Sequence, residues 1–311
     1  RTVQRIAAGG YHFDLIDAHY FYPDGVAAVI LGRILEKPVV ITARGTDLNL
    51  VPKYFFARRM IQWAAANADS LVAVCKALKD VLVQLGIPER KISVLRNGVD
   101  LSLFRPPRDR ESLRQELRLR EPTILSVGYL IRRKRHDMVI RALKKLPGYM
   151  LLIAGEGPEK NNLSSLADSL GLSDRVRFLG NIQHDRLADY YGTADVTVLA
   201  SEREGWANVL LESLACGTPV IGTRVWGTPE VITAPEAGLL IDEGTPENVC
   251  FALRSLFANY PDRVKTRRYA EKFSWDDTTR GQIRIFEKVL NISSMSKTSD
   301  YSHDEPLNYG G

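Results

Sequence analysis

No stretch of this chain is apolar for long enough to cross a bilayer. The longest such run surrounds "VAAVILG" (26–32), far short of the roughly 20 residues a spanning helix needs. The opening "RTVQRIAAGG" has no apolar core of the kind a secretory signal carries. Cysteine is scarce. Cys75, Cys216 and Cys250 lie far apart in apolar neighbourhoods, which excludes a disulfide framework and a cysteine-held metal and fits free, buried thiols in a reducing compartment. No internal repeat of solenoid period occurs. The first residue is not methionine, and the first clear strand follows a short helix-like lead, so an N-terminal segment is expected to be missing.

What is present is ordinary globular material. The chain has 311 residues, 45% apolar and 25% charged, enough for two domains. The formal net charge is +5. A mildly basic balance suits an anionic partner such as a phosphate, a nucleic acid or an acidic membrane surface, and many soluble proteins share it.

Short apolar runs alternate with helical patterns. Candidate strands are 13–18, 38–43, 70–75 and 92–95, then 123–128, 150–155, 175–180, 195–200, 218–223 and 238–241. Most are apolar at every position rather than at alternate ones, as in parallel sheets covered on both faces. The expected fold class is therefore α/β, doubly wound. Two prolines and a charge cluster in "LFRPPRDRE" (103–111) suggest a linker. The expected organisation is a partial first domain at 1–104, a complete Rossmann-like domain at 105–273, an amphipathic helix at 274–292 capped by Ser274 or Asp276, and a polar, disordered tail at 293–311.

In such a sheet, ligands bind beyond the carboxyl ends of the strands, and three loops there stand out. "SVGYLIRRKRHD" (126–137) puts Arg132, Arg133, Lys134 and Arg135 just before a helix, where they repel one another and oppose its dipole. An anion relieves both, and a solvated basic loop is the competing reading. "IAGEGPE" (153–159) offers Gly155 and Gly157 for close backbone approach, or simply a tight turn. "SEREGWANVLLESLAC" (201–216) places Glu204 on a loop and Glu212 one turn into an apolar helix. Asn208 is the expected N-cap, and Gly217 and Pro219 end that helix. Glu212 can accept two hydrogen bonds from a vicinal diol such as ribose, and Glu204 can accept from other hydroxyls. An anion site flanked by two hydroxyl readers has the shape of a nucleoside diphosphate sugar.

"EGWANVLLE" resembles the E-x7-E motif of the retaining GT-B glycosyltransferases of family GT4. "RNGVD", "VGYLIRRKRHDMVIRAL", "LIAGEGPE", "VRFLGNI", "YYGTADVTVLAS", "LACGTPVIGTRVWGTPEVI" and "FSWDD" follow in family order. The resemblance implies a GT-B fold, two Rossmann-like domains facing a cleft, with the first incomplete. It implies transfer of a sugar from a UDP- or GDP-sugar to a glycan or lipid-linked acceptor with retention. Catalytic roles fall to Lys134, Glu204 and Arg132. Donor binding falls to Gly128, Lys134, Asn181, Ile182, Glu204, Gly205, Trp206, Ala207, Asn208, Val209 and Glu212. Trp206 and Val209 also suit a core.

The chain departs from the family in three places. Tyr129 stands where an arginine is frequent; Arg132, Arg133 and Arg135 are candidates to supply that charge, and the sequence leaves this open. "TARGTD" (42–47) carries Arg44 where many relatives have histidine, and arginine cannot act as a base. No strand with a glycine-rich loop precedes residue 13, so a catalytically incompetent nucleotide-sugar-binding fragment is an alternative, with a GT-B-fold epimerase behind it. His19, Arg44 and Asp47 are the acceptor-side candidates; a core or capping role suits His19 equally. No D-x-D occurs, which favours a site without metal or cofactor. "KYFFARRMIQWAAANA" (53–68) mixes basic and aromatic residues at helical spacing, for rest on an anionic membrane or for packing on the first domain. A cytoplasmic protein, with peripheral contact at the inner membrane face and no nucleic-acid partner, is expected.

Overall fold

The computed structural model describes residues 9, 10 and 12–300, with side chains up to Asn291. It divides into two compact units, 1–95 with 279–311 and 96–278.

The first unit holds β1 (Ile16–His19), α1 (Val26–Leu35), β2 (Val39–Ala43), α2 (Phe55–Asn67), β3 (Ser70–Ala73), α3 (Lys76–Gln84) and β4 (Ile92–Val94). The strands are parallel and lie in the order β1-β2-β3-β4. The period of two along β2 divides its residues between two helical layers. Val39 and Ile41 stand beneath Gly32 and Gly25 on the α1 side. Val40 faces the other way and packs with Val72, Ile285, Phe286 and Val289. Those last three belong to the C-terminal helix, so the end of the chain covers the second face of its first sheet.

The second unit holds α4 (Arg110–Glu116), β5 (Thr123–Val127), α5 (His136–Leu143), β6 (Met150–Ala154), α6 (Lys160–Ser169), β7 (Val176–Gly180), α7 (His184–Thr193), β8 (Val196–Leu199), α8 (Asn208–Ala215), β9 (Val220–Thr223), β10 (Gly238–Ile241), α9 (Pro246–Ala258) and α10 (Arg263–Ala270). Its six parallel strands run β10-β9-β8-β5-β6-β7. Ile124, Leu151, Ile153, Val196, Val198 and Ile221 form one core with Val139, Ile140 and Leu143 of α5 and Leu253 of α9. The chain moves outward from β5 in both directions, so the topological switch lies between β5 and β8.

Every strand expected from the sequence is present within a few residues. Organisation differs more. The compact units part at 95–96, ahead of the domain boundary expected at 104–105, and 96–111 is fastened to the second unit. Val99 bridges Ser274. Phe104 is fully buried, edge-on to His184 and Tyr191. Arg110 and Arg114 both pair with Asp195, at 2.7 and 3.2 Å. Pro107 packs so closely on Gly192 that a Cβ there would stand 2.6 Å from its ring. The prolines of "LFRPPRDRE" are thus packing residues. The final helix, α11, runs Trp275–Asp300, past the boundary expected at 292; residues 301–311 lie outside those described. The lead at 1–8 does too.

Candidate active site

Two loops meet at the switch point of the second unit. The loop after β5 turns at Gly128, whose φ is +147°, passes through a 3₁₀ turn at Arg132–Lys134, and enters α5 after Arg135 in the left-handed region. The loop after β8 runs from Ala200 to α8. Glu202 N–H donates to the Arg133 carbonyl at 2.9 Å, which sets the two loops side by side.

That contact aligns their charges. Lys134 Nζ donates to Glu204 Oε1 at 2.6 Å, both side chains being largely buried (13% and 9% exposed). The stem of Lys134 lies over Gly128, about where a Cβ would touch it. Arg135 Nη1 donates to Glu202 Oε1 at 2.7 Å and also faces Asp137. Arg133 donates to the Arg203 carbonyl at 3.2 Å. The mutual repulsion of the four cations, which the sequence left to an outside anion, is therefore met in part by the acidic loop itself. Arg132 stands apart. Its side chain is 91% exposed and its nearest carboxylate, on Glu159, is 3.8 Å away.

Gly155 and Gly157 serve a different neighbour from the one expected. A Cβ on Gly155 would stand 2.0 Å from the Gly128 carbonyl oxygen, and one on Gly157 2.5 Å from that of Leu130. The 128–130 backbone lies directly on the 154–157 backbone, bonded through Gly128 N–H to the Ala154 carbonyl (3.0 Å) and Leu130 N–H to the Glu156 carbonyl (2.8 Å). These glycines admit a protein backbone and so hold the Lys134 loop in place. Beneath it, His136 is buried with Nδ1 at 2.8 Å from Ser126 Oγ, while its Nε2 has no hydrogen-bond partner. Burial, with Lys134 nearby, lowers its pKa to about 4.

Helix α8 starts one residue earlier than expected. Ala207 occupies the N-cap position and Asn208 the first helical one; the Asn208 side-chain oxygen accepts from Asn97 Nδ2 at 3.1 Å instead of capping. The α8 N–H groups thus keep no side-chain cap, which suits an anion at that end. Gly217, with φ +75°, does end the helix. Glu212 is half-buried. Its Oε2 accepts the Tyr191 hydroxyl at 2.9 Å, and burial raises its pKa. Trp206 is buried, with its ring near Phe273, and Ala207 is buried as well. Gly205 holds the loop by accepting from Gly227 N–H at 3.2 Å. Val209 is half-buried, as is Ile182, which follows the exposed Asn181 at the carboxyl end of β7. Ser201 Oγ, Trp206 Nε1 and Thr228 Oγ1 are buried without partners.

Sequence reasoning did not find Tyr191, Glu202 or Arg96. Tyr191 is apolar by position and polar only at its tip. Glu202 gains meaning from Arg135, distant in sequence. Arg96 Nε donates to Glu230 Oε2 at 2.7 Å, beside the Asn97–Asn208 contact.

In the first unit, Arg44 donates from Nε and Nη2 to His19 Nδ1, at 2.9 and 2.7 Å. His19 Nε2 lies 3.5 Å from Asp17 Oδ2. The bonds to Arg44 make Nδ1 the acceptor and leave the ring proton on Nε2. Asp47 is buried and accepts from the backbone N–H groups of Phe21, Arg44 and Gly45; it ties a turn. Burial raises its pKa against those bonds. Among the described residues no cluster of His, Cys, Asp or Glu could hold a metal ion, and no helix is long and apolar enough to cross a membrane.

Residues 108–273 match the family described as glycosyl transferases group 1, and residues 1–103 match glycosyltransferase family 4. The chain belongs to the group 1 glycosyl transferase family, with its first part matching the family 4 model. It is 30% identical over 245 residues to N-acetyl-alpha-D-glucosaminyl L-malate synthase of Bacillus anthracis, covering 76% of this chain and 64% of that one. It is 35% identical over 262 residues to D-inositol 3-phosphate glycosyltransferase of Rhodococcus opacus, covering 78% and 58%. It thus spans under two thirds of the length of these curated relatives. Among solved structures, Anabaena HepE in complex with UDP superposes with a TM-score of 0.82 at 21% identity, covering 92% of this chain and 82% of HepE. Sucrose-phosphate synthase of Thermosynechococcus elongatus gives 0.80 at 23%, covering 94% and 77%. The glycosyltransferase fold is the GT-B architecture, and the two parallel-sheet units are its Rossmann-like domains.

Proposed function

We propose that this glycosyltransferase moves a sugar from a UDP- or GDP-sugar to a hydroxyl of a glycan or lipid-linked acceptor, with retention at the anomeric carbon. The observation that carries the reading is the pairing of Lys134 with Glu204 beside the uncapped start of α8, at the switch point of a Rossmann sheet. A diphosphate seated at that helix end takes Lys134 as its counter-ion. Glu204, released, accepts from sugar hydroxyls. Glu212, held by Tyr191, accepts from ribose. Asn181 and Ile182 lie beside the base. Gly128 keeps the Lys134 stem close. Gly205, Ala207 and Val209 bring the loop and helix backbone to the donor, and Trp206 supports them from the core side.

In transfer, the acceptor oxygen bonds to the anomeric carbon as the bond from that carbon to the diphosphate oxygen breaks. The diphosphate leaves with the electron pair, and one of its oxygens takes the acceptor proton. Charge builds on the leaving group, so stabilisation by Lys134 and the helix N–H groups is the main catalytic contribution. Arg132 adds a long-range positive charge. His19 and Arg44 belong to the acceptor side, and no metal or other cofactor takes part. The names of the two curated relatives favour a second reading of the acceptor, a small hydroxylated acid.

The test is titration calorimetry with turnover on UDP-, GDP- and ADP-sugars, against glycan and lipid-linked acceptors, L-malate and D-inositol 3-phosphate, with and without a chelator. Transfer that survives chelation and gives the donor's anomeric configuration supports the reading. Donor binding without transfer to any acceptor makes this chain a binding fragment. Inversion in the product sinks retention.

A further inference from the structure

A cavity of about 810 Å³ opens in the second unit beside the amino ends of β5 and β8. That is the opposite end of the sheet from the Lys134 loop. The cavity is roomy enough for a small molecule. Arg110 and Arg114 of α4, Arg118 and Arg120 of the turn after it, and Asp195 just before β8 all line it.

The inner arginines are fixed. Arg114 is 7% exposed and donates to the carbonyls of Thr193 (2.7 Å) and Glu121 (2.8 Å) and to Asp195 Oδ2 (3.2 Å). Arg110 donates to Asp195 Oδ1 at 2.7 Å and to the carbonyls of Gly192, Thr193 and Ala194. Arg263 of α10 reaches the Gly192 and Ala194 carbonyls from its own side. Burial lowers the Arg263 pKa, and Arg110 nearby adds to that. The carbonyls at the end of α7 amount to roughly half a negative charge. Three guanidiniums thus share that partial charge and one carboxylate.

The outer pair is open. Leu119 N–H donates to the Arg114 carbonyl at 2.8 Å, and the Leu119 side chain is buried. Its neighbours Arg118 and Arg120 are both exposed. Arg118 stands at φ +55°, in a position after a helix that glycine or asparagine fills more easily. Among the described residues, neither guanidinium has a hydrogen bond or an ion pair, and Glu111, the other acid on the wall, pairs with none of the four arginines. The lining therefore carries four positive charges against two negative ones.

We propose that this cavity is a second anion site, apart from the donor site, that takes the phosphate of a small phosphorylated molecule. A phosphate monoester carries about −1.5 to −2 charges at pH 7, which matches the excess of two. Arg118 and Arg120 offer planar, forked donors to its oxygens. Arg110 and Arg114, held by Asp195 and the α7 carbonyls, keep the wall in shape and supply a fixed positive field. A phosphate ion fills only a small part of the space, so a ligand with an organic body fits better. The site does not require the transferase reading.

The test is titration calorimetry of the full chain in excess UDP, at fixed ionic strength, with glucose 6-phosphate, inorganic phosphate and glucose as probes. Glucose 6-phosphate should bind, inorganic phosphate should bind more weakly, and glucose should not bind. Arg118→Gln with Arg120→Gln should weaken glucose 6-phosphate binding about tenfold or more. Neither side chain bonds to anything else, so the melting temperature of that variant without ligand should match the wild type. Lys134→Gln, which alters the proposed donor site, should leave glucose 6-phosphate affinity unchanged. Absence of glucose 6-phosphate binding overturns the proposal, as does full affinity in the folded double variant. Loss in Lys134→Gln alone assigns the phosphate to the donor site and also overturns it. So does tighter binding of inorganic phosphate than of glucose 6-phosphate, since the organic body then adds nothing.

Discussion

At the scale of single residues, the two glutamates of the E-x7-E stretch are held by different partners. Glu204 is bound to Lys134 in the free chain, so a nucleoside diphosphate must compete with it for that ammonium. Glu204→Gln removes the competitor. Its affinity for UDP or GDP alone should rise about fivefold, or roughly 1 kcal/mol, while affinity for the intact sugar nucleotide falls, both read by calorimetry. His136 supplies a second test. Its folded-state pKa, about 4, lies below the ordinary value near 6.5. Its contribution is present in full above the unfolded value and is lost as pH falls from about 6.5 to about 4. The loss should reach about 3 kcal/mol. Chemical denaturation of the wild type and His136→Asn across that range should show the wild type losing its advantage. The raised pKa values of Glu212, Asp17 and Asp47 act in the opposite sense, so the difference between the two proteins is the quantity to measure.

At the scale of elements, the site rests on one loop stacked on another. Gly155 has no room for a side chain because the Gly128 carbonyl occupies the place of its Cβ. Gly155→Ala should cost about 2 kcal/mol or more, from steric overlap and from an alanine at φ +143°. A lower urea midpoint measures that. Donor affinity should fall further than the stability loss accounts for, because Lys134 rides on the displaced loop. A glycine after a strand was legible in the sequence. What it accommodates was not, since the approaching backbone is separated from it by a strand and a helix. The N-terminus of α8 shows the same boundary of legibility. A polar residue before an apolar run reads as a cap, and only the placement of Asn97 reveals that Asn208 is engaged elsewhere.

At the scale of the whole chain, the proposed donor site lies within the second unit alone. Saturation with UDP-sugar should therefore slow amide exchange at 128–135 and 201–212 and raise the stability of that unit by about 2.7 kcal/mol at a hundredfold excess over Kd. Amides in β2 and β3 should respond less, as hydrogen exchange by mass spectrometry can resolve. The crossovers into and out of the unit, at 95–96 and 278–279, are where the sequence was hardest to divide. Proline and charge mark a linker only when nothing packs on them, and here Phe104, Pro107 and Arg110 are all engaged.

By itself the sequence determined the ten strands, the parallel α/β class and the family, because apolar runs buried on both faces and ordered glycine and glutamate motifs are local patterns. It also selected Lys134, Glu204 and Glu212. Only the tertiary structure decided which charges meet. The Lys134–Glu204, Arg135–Glu202 and Tyr191–Glu212 contacts join residues from separate loops and helices, and such contacts depend on the order in which strands enter the sheet. It also decided that the basic, aromatic helix α2 has both a packed side, at Ile61, Ala64 and Ala65, and an open one, at Phe55 and Phe56. Periodicity shows that a helix has faces, but not how many of them its neighbours will cover.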